Sequence, residues 1–148
     1  MYKIAIVIPT LNEEKFIAQC LDCVIRQTFP FTAIDLMVVD GGSNDRTKSI
    51  VEKYQKRYSN IRFIHNPGRI QSIAFNIGVE NSDAPYIVRL DAHALYNKDY
   101  IEKCIAGLQN DTQIGNVGGR CKILPFNDTL WANTNAILNY SRFGIGGS

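Results

Sequence analysis

No apolar run in the 148 residues approaches the roughly 18 that a membrane-crossing helix requires. The N-terminal stretch from Tyr2 to Ile8 reads as a strand rather than a secretory signal, so a cytoplasmic location is expected. Charge of one sign is also lacking. Sixteen basic side chains stand against 14 acidic ones, a net +2, which excludes a generalised nucleic-acid surface and a polybasic membrane tether. Cysteine is sparse: Cys20, Cys23, Cys104 and Cys121 are too few to be needed as staples in a chain that is 45% apolar, so reduced thiols are expected. Cys20 and Cys23 form C-x-x-C inside a helical pattern instead of at a helix start, where the thiol pKa would fall, and they read as core packing. Glycine-rich phosphate loops are missing. Pro9-Thr10-Leu11-Asn12-Glu13 follows the first strand where a dinucleotide fold would carry G-x-G-x-x-G, and no Gly-Lys-Ser/Thr of a P-loop occurs anywhere. A receiver-type phosphorylation switch would want acidic residues at that same strand end, which proline and threonine occupy.

What the sequence does contain is a regular alternation of strand and helix patterns. Lys3 to Ile8 is an almost unbroken apolar strand of the kind covered on both faces. Thr10-Leu11-Asn12-Glu13 matches a capping box, and Ile17, Cys20, Leu21 and Val24 recur at helical spacing until the chain nears Pro30. A second strand spans Ile34 to Val39, followed by a helix with Thr47, Ile50, Val51, Tyr54 and Tyr58 on its inner face. Ile61 to Ile64 is a third strand, Asn66-Pro67-Gly68 a turn, and Ile70 to Val79 a helix with Ile73, Ala74 and Ile77 facing inward. Pro85 to Leu90 is a fourth strand, and Ile101, Cys104, Ile105 and Leu108 mark a fourth helix. A Gly-rich strand from Gly115 to Ile123 and a helix from Asp128 to Tyr140 complete the pattern. The alternation predicts an α/β fold, an open, mostly parallel sheet with helices on both faces.

Ligands in such folds bind beyond the carboxyl ends of the strands. That rule singles out Pro9-Thr10, Asp40-Gly41, His65-Asn66 and Asp91-Ala92-His93. Asp40 on its glycine turn is able to accept an N–H from a base, or else simply builds the Gly41-Gly42-Ser43 turn. Asp45 and Thr47 are expected to cap the second helix. Asp91 and His93, on alternate residues, are candidate ligands of a divalent ion, with a diphosphate supplying further oxygens; the alternative is a turn residue and a surface histidine. An imidazole beside a carboxylate suits Mn2+ better than an all-oxygen Mg2+ site. Arg69 is placed to reach phosphate or a base edge, or stands as a solvated loop charge. Trp131, Tyr140 and Phe143 either line a groove or pack.

Three segments, Val7 to Glu14, Val38 to Thr47 and Tyr86 to His93, together with the Ala74-Phe75-Asn76-Ile77-Gly78 stretch between the last two, resemble the family 2 glycosyltransferases in order and spacing. Val117 to Arg120 and Phe143 to Gly146 are similar to the succinoglycan-type exopolysaccharide branch. The resemblance implies a GT-A fold, with residues 1–148 as a single nucleotide-diphospho-sugar-binding portion that stops before the acceptor-binding half. It implies that Pro9, Thr10, Leu11 and Glu13 line the nucleoside, that Asp40 bonds the base, often uracil, that Arg69 lies near base or phosphate, and that Asp91 sits by ribose, diphosphate and metal as the first member of D-x-D. His93 stands where that motif ends in an acidic residue. The implied cofactor is Mn2+ or Mg2+, and the implied activity is inverting transfer from a UDP-sugar to a glycan or lipid-linked acceptor in surface polysaccharide synthesis. The alternative is a catalytically incomplete nucleotide-binding module. The base that takes the acceptor proton is expected beyond Ser148. Loss of the acceptor half predicts exposed apolar surface near the last helix and a homo-oligomer.

Overall fold

The computed structural model describes residues 3–119, 125 and 128–138. Two compact units are present, residues 1–117 and residues 118–148. In the first, β1 (Ile4–Thr10), β2 (Ile34–Asp40), β3 (Ile61–His65) and β4 (Tyr86–Arg89) form one parallel sheet in the order β3-β2-β1-β4. The helices are α1 (Ile17–Ile25), α2 (Thr47–Gln55), α3 (Gln71–Glu80) and α4 (Tyr100–Asn110), with a 3-10 turn at Phe31–Ala33. The second unit carries α5 (Leu130–Leu138).

Every residue of β1 and β2 is buried because both faces of the sheet are covered. Ile4, Ile6 and Ile8 join Ile34, Leu36 and Val38 on one face, where α1, α2 and α4 contribute Ile17, Leu21, Val51, Ile101 and Ile105. Ala5, Val7, Met37 and Val39 point to the other face and meet Ala74 of α3. The two-residue period of each strand therefore feeds two separate apolar layers. On the α3 face, Asp35 is buried and accepts both arms of the Arg62 guanidinium, from Nε at 2.9 Å and Nη2 at 2.6 Å. No hydrophobic pattern marks that pair.

Several expectations are corrected at the element level. The Thr10 capping box does not form: Thr10 ends β1, its hydroxyl donates to Asp40, and α1 begins seven residues later with no side-chain cap. On α3, Ala74 is buried and Ile77 is half-buried against the sheet as expected, but Ile73 is 36% exposed and lies over the Gly68 turn, and Gly78 takes the buried place that close helix-to-sheet packing leaves for a small residue. Gly115 to Gly119 adopt no strand, and residues 120–123 of that expected strand lie outside the described residues, as do Cys121, Tyr140 and Phe143. No described helix is long and apolar enough to cross a membrane.

Candidate functional site

The connections place β2 and β3 on one side of β1 and β4 on the other, so the winding reverses between β1 and β4. A crevice opens beyond the carboxyl ends of strands at such a reversal. It is present as a cleft of about 220 Å³ whose lining includes Pro9, Thr10, Leu11 and Glu13 from the end of β1, Arg69, and Asp91 and His93 from the end of β4. Every residue that the resemblance assigns to the site except Asp40 thus lines one cleft, whereas His65 and Gly41, singled out by the strand-end rule, do not.

Asp40 ends β2 with 4% exposure, and its carboxylate is fully engaged. Oδ2 accepts the N–H groups of Gly42 at 3.0 Å and Ser43 at 2.8 Å. Oδ1 accepts the hydroxyls of Ser43 at 2.5 Å and Thr10 at 3.1 Å. Four donors fill the roughly four lone-pair positions of a carboxylate. Asp40 therefore builds the turn, with Gly42 at φ 84°, and contact with a base would require one hydroxyl to rotate away. The turn is tied to its neighbours by Gly41 N–H donating to the Thr10 carbonyl and Asn66 N–H donating to the Asp40 carbonyl.

Arg69 is held in the left-handed region at φ 58°, with Nε donating to the Gly41 carbonyl at 3.1 Å. Its two terminal nitrogens make no hydrogen bond among the described residues. Asn66, 2% exposed, shapes this loop by accepting from Gly68 N–H and donating to the Ile70 carbonyl. Next to it the first turn of α3 supplies Gln71 and Ala74 to the cleft, and helix starts favour anions.

Asp91 is fixed at several atoms. Its N–H donates to the Tyr96 hydroxyl at 2.7 Å, and its Oδ1 accepts Gln71 Nε2 at 3.1 Å and Arg89 Nη2 at 2.9 Å. Burial raises the Tyr96 hydroxyl pKa and pushes the Cys20 thiol up to about 12, so the thiol stays protonated opposite the Asp91 carbonyl, 3.8 Å away. Gln71, Arg89 and Tyr96 were missed in the sequence. Arg89 alone had a signal, its position two residues before Asp91.

His93 is exposed, with Nδ1 3.1 Å from Oε1 of Glu13 and its ring edge-on to Phe16. Among the described residues no group of three His, Cys, Asp or Glu side chains could hold a metal ion. The donors on offer are Oδ2 of Asp91 and Nε2 of His93, neither of which has a hydrogen-bond partner among the described residues. One carboxylate oxygen and one imidazole nitrogen fit a divalent ion that takes its other ligands from a diphosphate and water.

Asp45 and Thr47 brace the loop from the side of α2. Asp45 accepts Thr47 N–H at 2.9 Å and Glu14 N–H at 3.0 Å, while Thr47 Oγ1 accepts Glu13 N–H at 2.8 Å. Burial would raise the Asp45 carboxyl pKa, but the bonds from Thr47 and Glu14 outweigh it and hold it below the usual carboxylate range.

A family model described as Glycosyl transferase family 2 matches residues 5–146. The chain is 33% identical over 122 residues to the dolichyl N-acetyl-alpha-D-glucosaminyl phosphate 3-beta-D-2,3-diacetamido-2,3-dideoxy-beta-D-glucuronosyltransferase of Methanococcus voltae, an alignment covering 78% of this chain and 38% of that protein. It is 36% identical over 102 residues to the succinoglycan biosynthesis protein ExoA of Rhizobium meliloti, covering 68% of this chain and 31% of that one. Among solved structures, a mannosyltransferase from Pyrobaculum calidifontis in complex with GDP-Man and Mn2+ superposes with a TM-score of 0.67 at 24% identity, covering 72% of this chain and 32% of its own. Staphylococcus aureus TarS in complex with UDP superposes at 0.62 and 22% identity, covering 82% and 39%. These structures share the expected GT-A fold. The chain spans between about a sixth and two fifths of the length of the curated relatives it matches.

Proposed function

Because the chain belongs to glycosyl transferase family 2, we propose that residues 1–148 form the donor-binding portion of an inverting glycosyltransferase that moves a sugar from a nucleotide diphosphate, a UDP-sugar, to a glycan or lipid-linked acceptor in surface polysaccharide synthesis. The observation that carries this reading is the cleft at the reversal between β1 and β4, where Asp91, His93, Arg69 and the start of α3 converge. Pro9, Thr10 and Leu11 give the nucleoside a wall, and the terminal nitrogens of Arg69 meet diphosphate or base. Asp91 and His93 hold Mn2+ or Mg2+, which supplies charge neutralisation on the departing diphosphate. The names of similar proteins support the donor and acceptor classes: one neighbour was solved with GDP-Man and Mn2+, another with UDP, and the relatives include a protein of succinoglycan biosynthesis and one named for a dolichyl phosphate sugar.

Calorimetric titration of the chain with UDP, in Mn2+ and then in chelator, with GDP as competitor, tests the reading. UDP binding that needs Mn2+ and disappears in Asp91→Ala is expected. A folded chain that binds neither nucleotide overturns it.

A further inference from the structure

We propose that Glu13 is a positioning residue for the divalent ion: it fixes the ring of His93 so that Nε2 presents its lone pair to the cleft. The proposal rests on the donor-site reading above and gives Glu13 a role other than lining the nucleoside. Its starting point is the 3.1 Å contact between Oε1 of Glu13 and Nδ1 of His93, which joins the loop after β1 to the segment after β4 across 80 residues of sequence. An ionised carboxylate only accepts, so the proton of a neutral imidazole in this contact must lie on Nδ1. The acceptor lone pair is then on Nε2, the nitrogen available to a metal. Carboxylates bonded to the far nitrogen of a ligating histidine fix both its tautomer and its ring orientation.

Glu13 is itself held on both sides of its peptide. Its N–H donates to Thr47 Oγ1 at 2.8 Å, and its carbonyl accepts from Phe16 and Ile17 N–H at 2.9 Å. The side chain is 18% exposed, against 61% for His93, so the better-buried member sets the position of the freer one. The edge of Phe16, with ring centroids 6.4 Å apart and planes at 71°, restricts the imidazole further. The neighbouring Glu14 does a different job: its carboxylate takes Arg46 N–H at 3.0 Å and Arg46 Nε at 3.2 Å, on the α2 side. Glu13 thus has His93 as its only basic partner among the described residues. The pairing also gives a physical reason for histidine where the resemblance leads one to expect an acidic residue. An acidic side chain at 93 would confront Glu13 with like charge, whereas the imidazole donates to it and still offers a second nitrogen.

Two measurements on the full chain test this. His65 and His93 are the only histidines, so nitrogen-15 NMR resolves the tautomer of each in metal-free protein. The wild type is expected to show Nδ1–H at His93, Glu13→Ala to lose that preference, and Glu13→Gln to retain it, because the amide oxygen still accepts. Electron paramagnetic resonance of Mn2+ in the presence of UDP then reads affinity. Glu13→Ala is expected to weaken Mn2+ binding by about 10- to 100-fold. Glu13→Gln recovers most of the loss, and Glu13→Ala adds nothing in a His93→Ala background. An Nε2–H tautomer in the wild type overturns the proposal, as does a Glu13→Ala effect of the same size with and without His93. UDP binding without Mn2+ binding overturns this proposal together with the metal role given to Asp91 and His93 but leaves the nucleotide site standing, whereas absence of UDP binding overturns the donor reading beneath it.

Discussion

Asp40 shows how one side chain comes to have both a structural and a candidate binding role. Its four accepted hydrogen bonds hold the end of β1 to the Gly42-Ser43 turn, and they are made where the residue is almost fully buried. Removing the carboxylate leaves two turn N–H groups without their acceptor, a loss of about 1–3 kcal/mol. Asp40→Ala is therefore expected to lower unfolding stability by that amount in urea at neutral pH, whether or not nucleotide is present. A variant as stable as the wild type would show that solvent or the neighbouring hydroxyls satisfy the turn. The consequence reaches the binding experiment: loss of UDP affinity in Asp40→Ala reports the collapse of the turn as much as a lost base contact. Asp91 is the cleaner probe, since its side chain is 37% exposed and its partners Arg89 and Gln71 are both exposed enough to be solvated when it is removed.

At the scale of elements, the closest approach is that of α3 to the sheet. A Cβ on Gly78 would lie 2.4 and 2.6 Å from the two γ-carbons of Val7, in the strand flanked by β2 and β4. Val7 is fully buried and β-branched, so it has little freedom to move aside. Alanine would gain about 1 kcal/mol of helix propensity, but overpacking costs about 1–3 kcal/mol, and Gly78→Ala is expected to destabilise the fold on balance. Gly115→Ala, where a Cβ would meet nothing within 4 Å, is the control and should leave the urea midpoint nearly unchanged. Equal midpoints in the two variants would mean that α3 can withdraw from β1.

The same contact explains what was legible in the sequence. The period of Ile17, Cys20, Leu21 and Val24 named the buried face of α1 correctly, since that helix buries the same apolar side chains that the pattern counts. On α3 the large residue Ile73 was chosen over Gly78, because apolar periodicity counts side chains and cannot see that a missing one admits the sheet. The T-x-x-E pattern at Thr10 misled for a related reason: the local partner for its hydroxyl lost to Asp40, 30 residues away. The strand-end rule located the cleft, and Arg89 was within reach of Asp91 by its spacing of two, yet the contacts of Gln71 and Tyr96 with Asp91 depend on how α3 and the segment after β4 are placed, which no spacing records.

For the whole molecule, the alternation of strands and helices implied a parallel sheet but left open the side of β1 on which β4 docks, and that choice creates the cleft. The second unit poses the remaining question. Within the second unit, the Thr134 hydroxyl donates to the Leu130 carbonyl and the Asn133 amide donates to Asp128, so these two side chains are satisfied locally. Three large apolar side chains of this helix are exposed: Leu130 by 86%, Trp131 by 76% and Ile137 by 70%. Leu130 and Ile137 are seven residues apart and share a face of the helix. Exposed apolar groups clustered in this way favour association, so the isolated chain is expected to sediment faster as its concentration rises. Trp131 is the only tryptophan and serves as an internal reporter, with emission typical of a hydrated indole when dilute and a shift to the blue if association covers it. Leu130→Lys combined with Ile137→Lys should keep the chain monomeric and the emission red at every concentration, with the circular dichroism of the sheet unchanged. A wild type that remains monomeric throughout the range would show that this surface is tolerated in water, and would remove self-association from the properties of the chain.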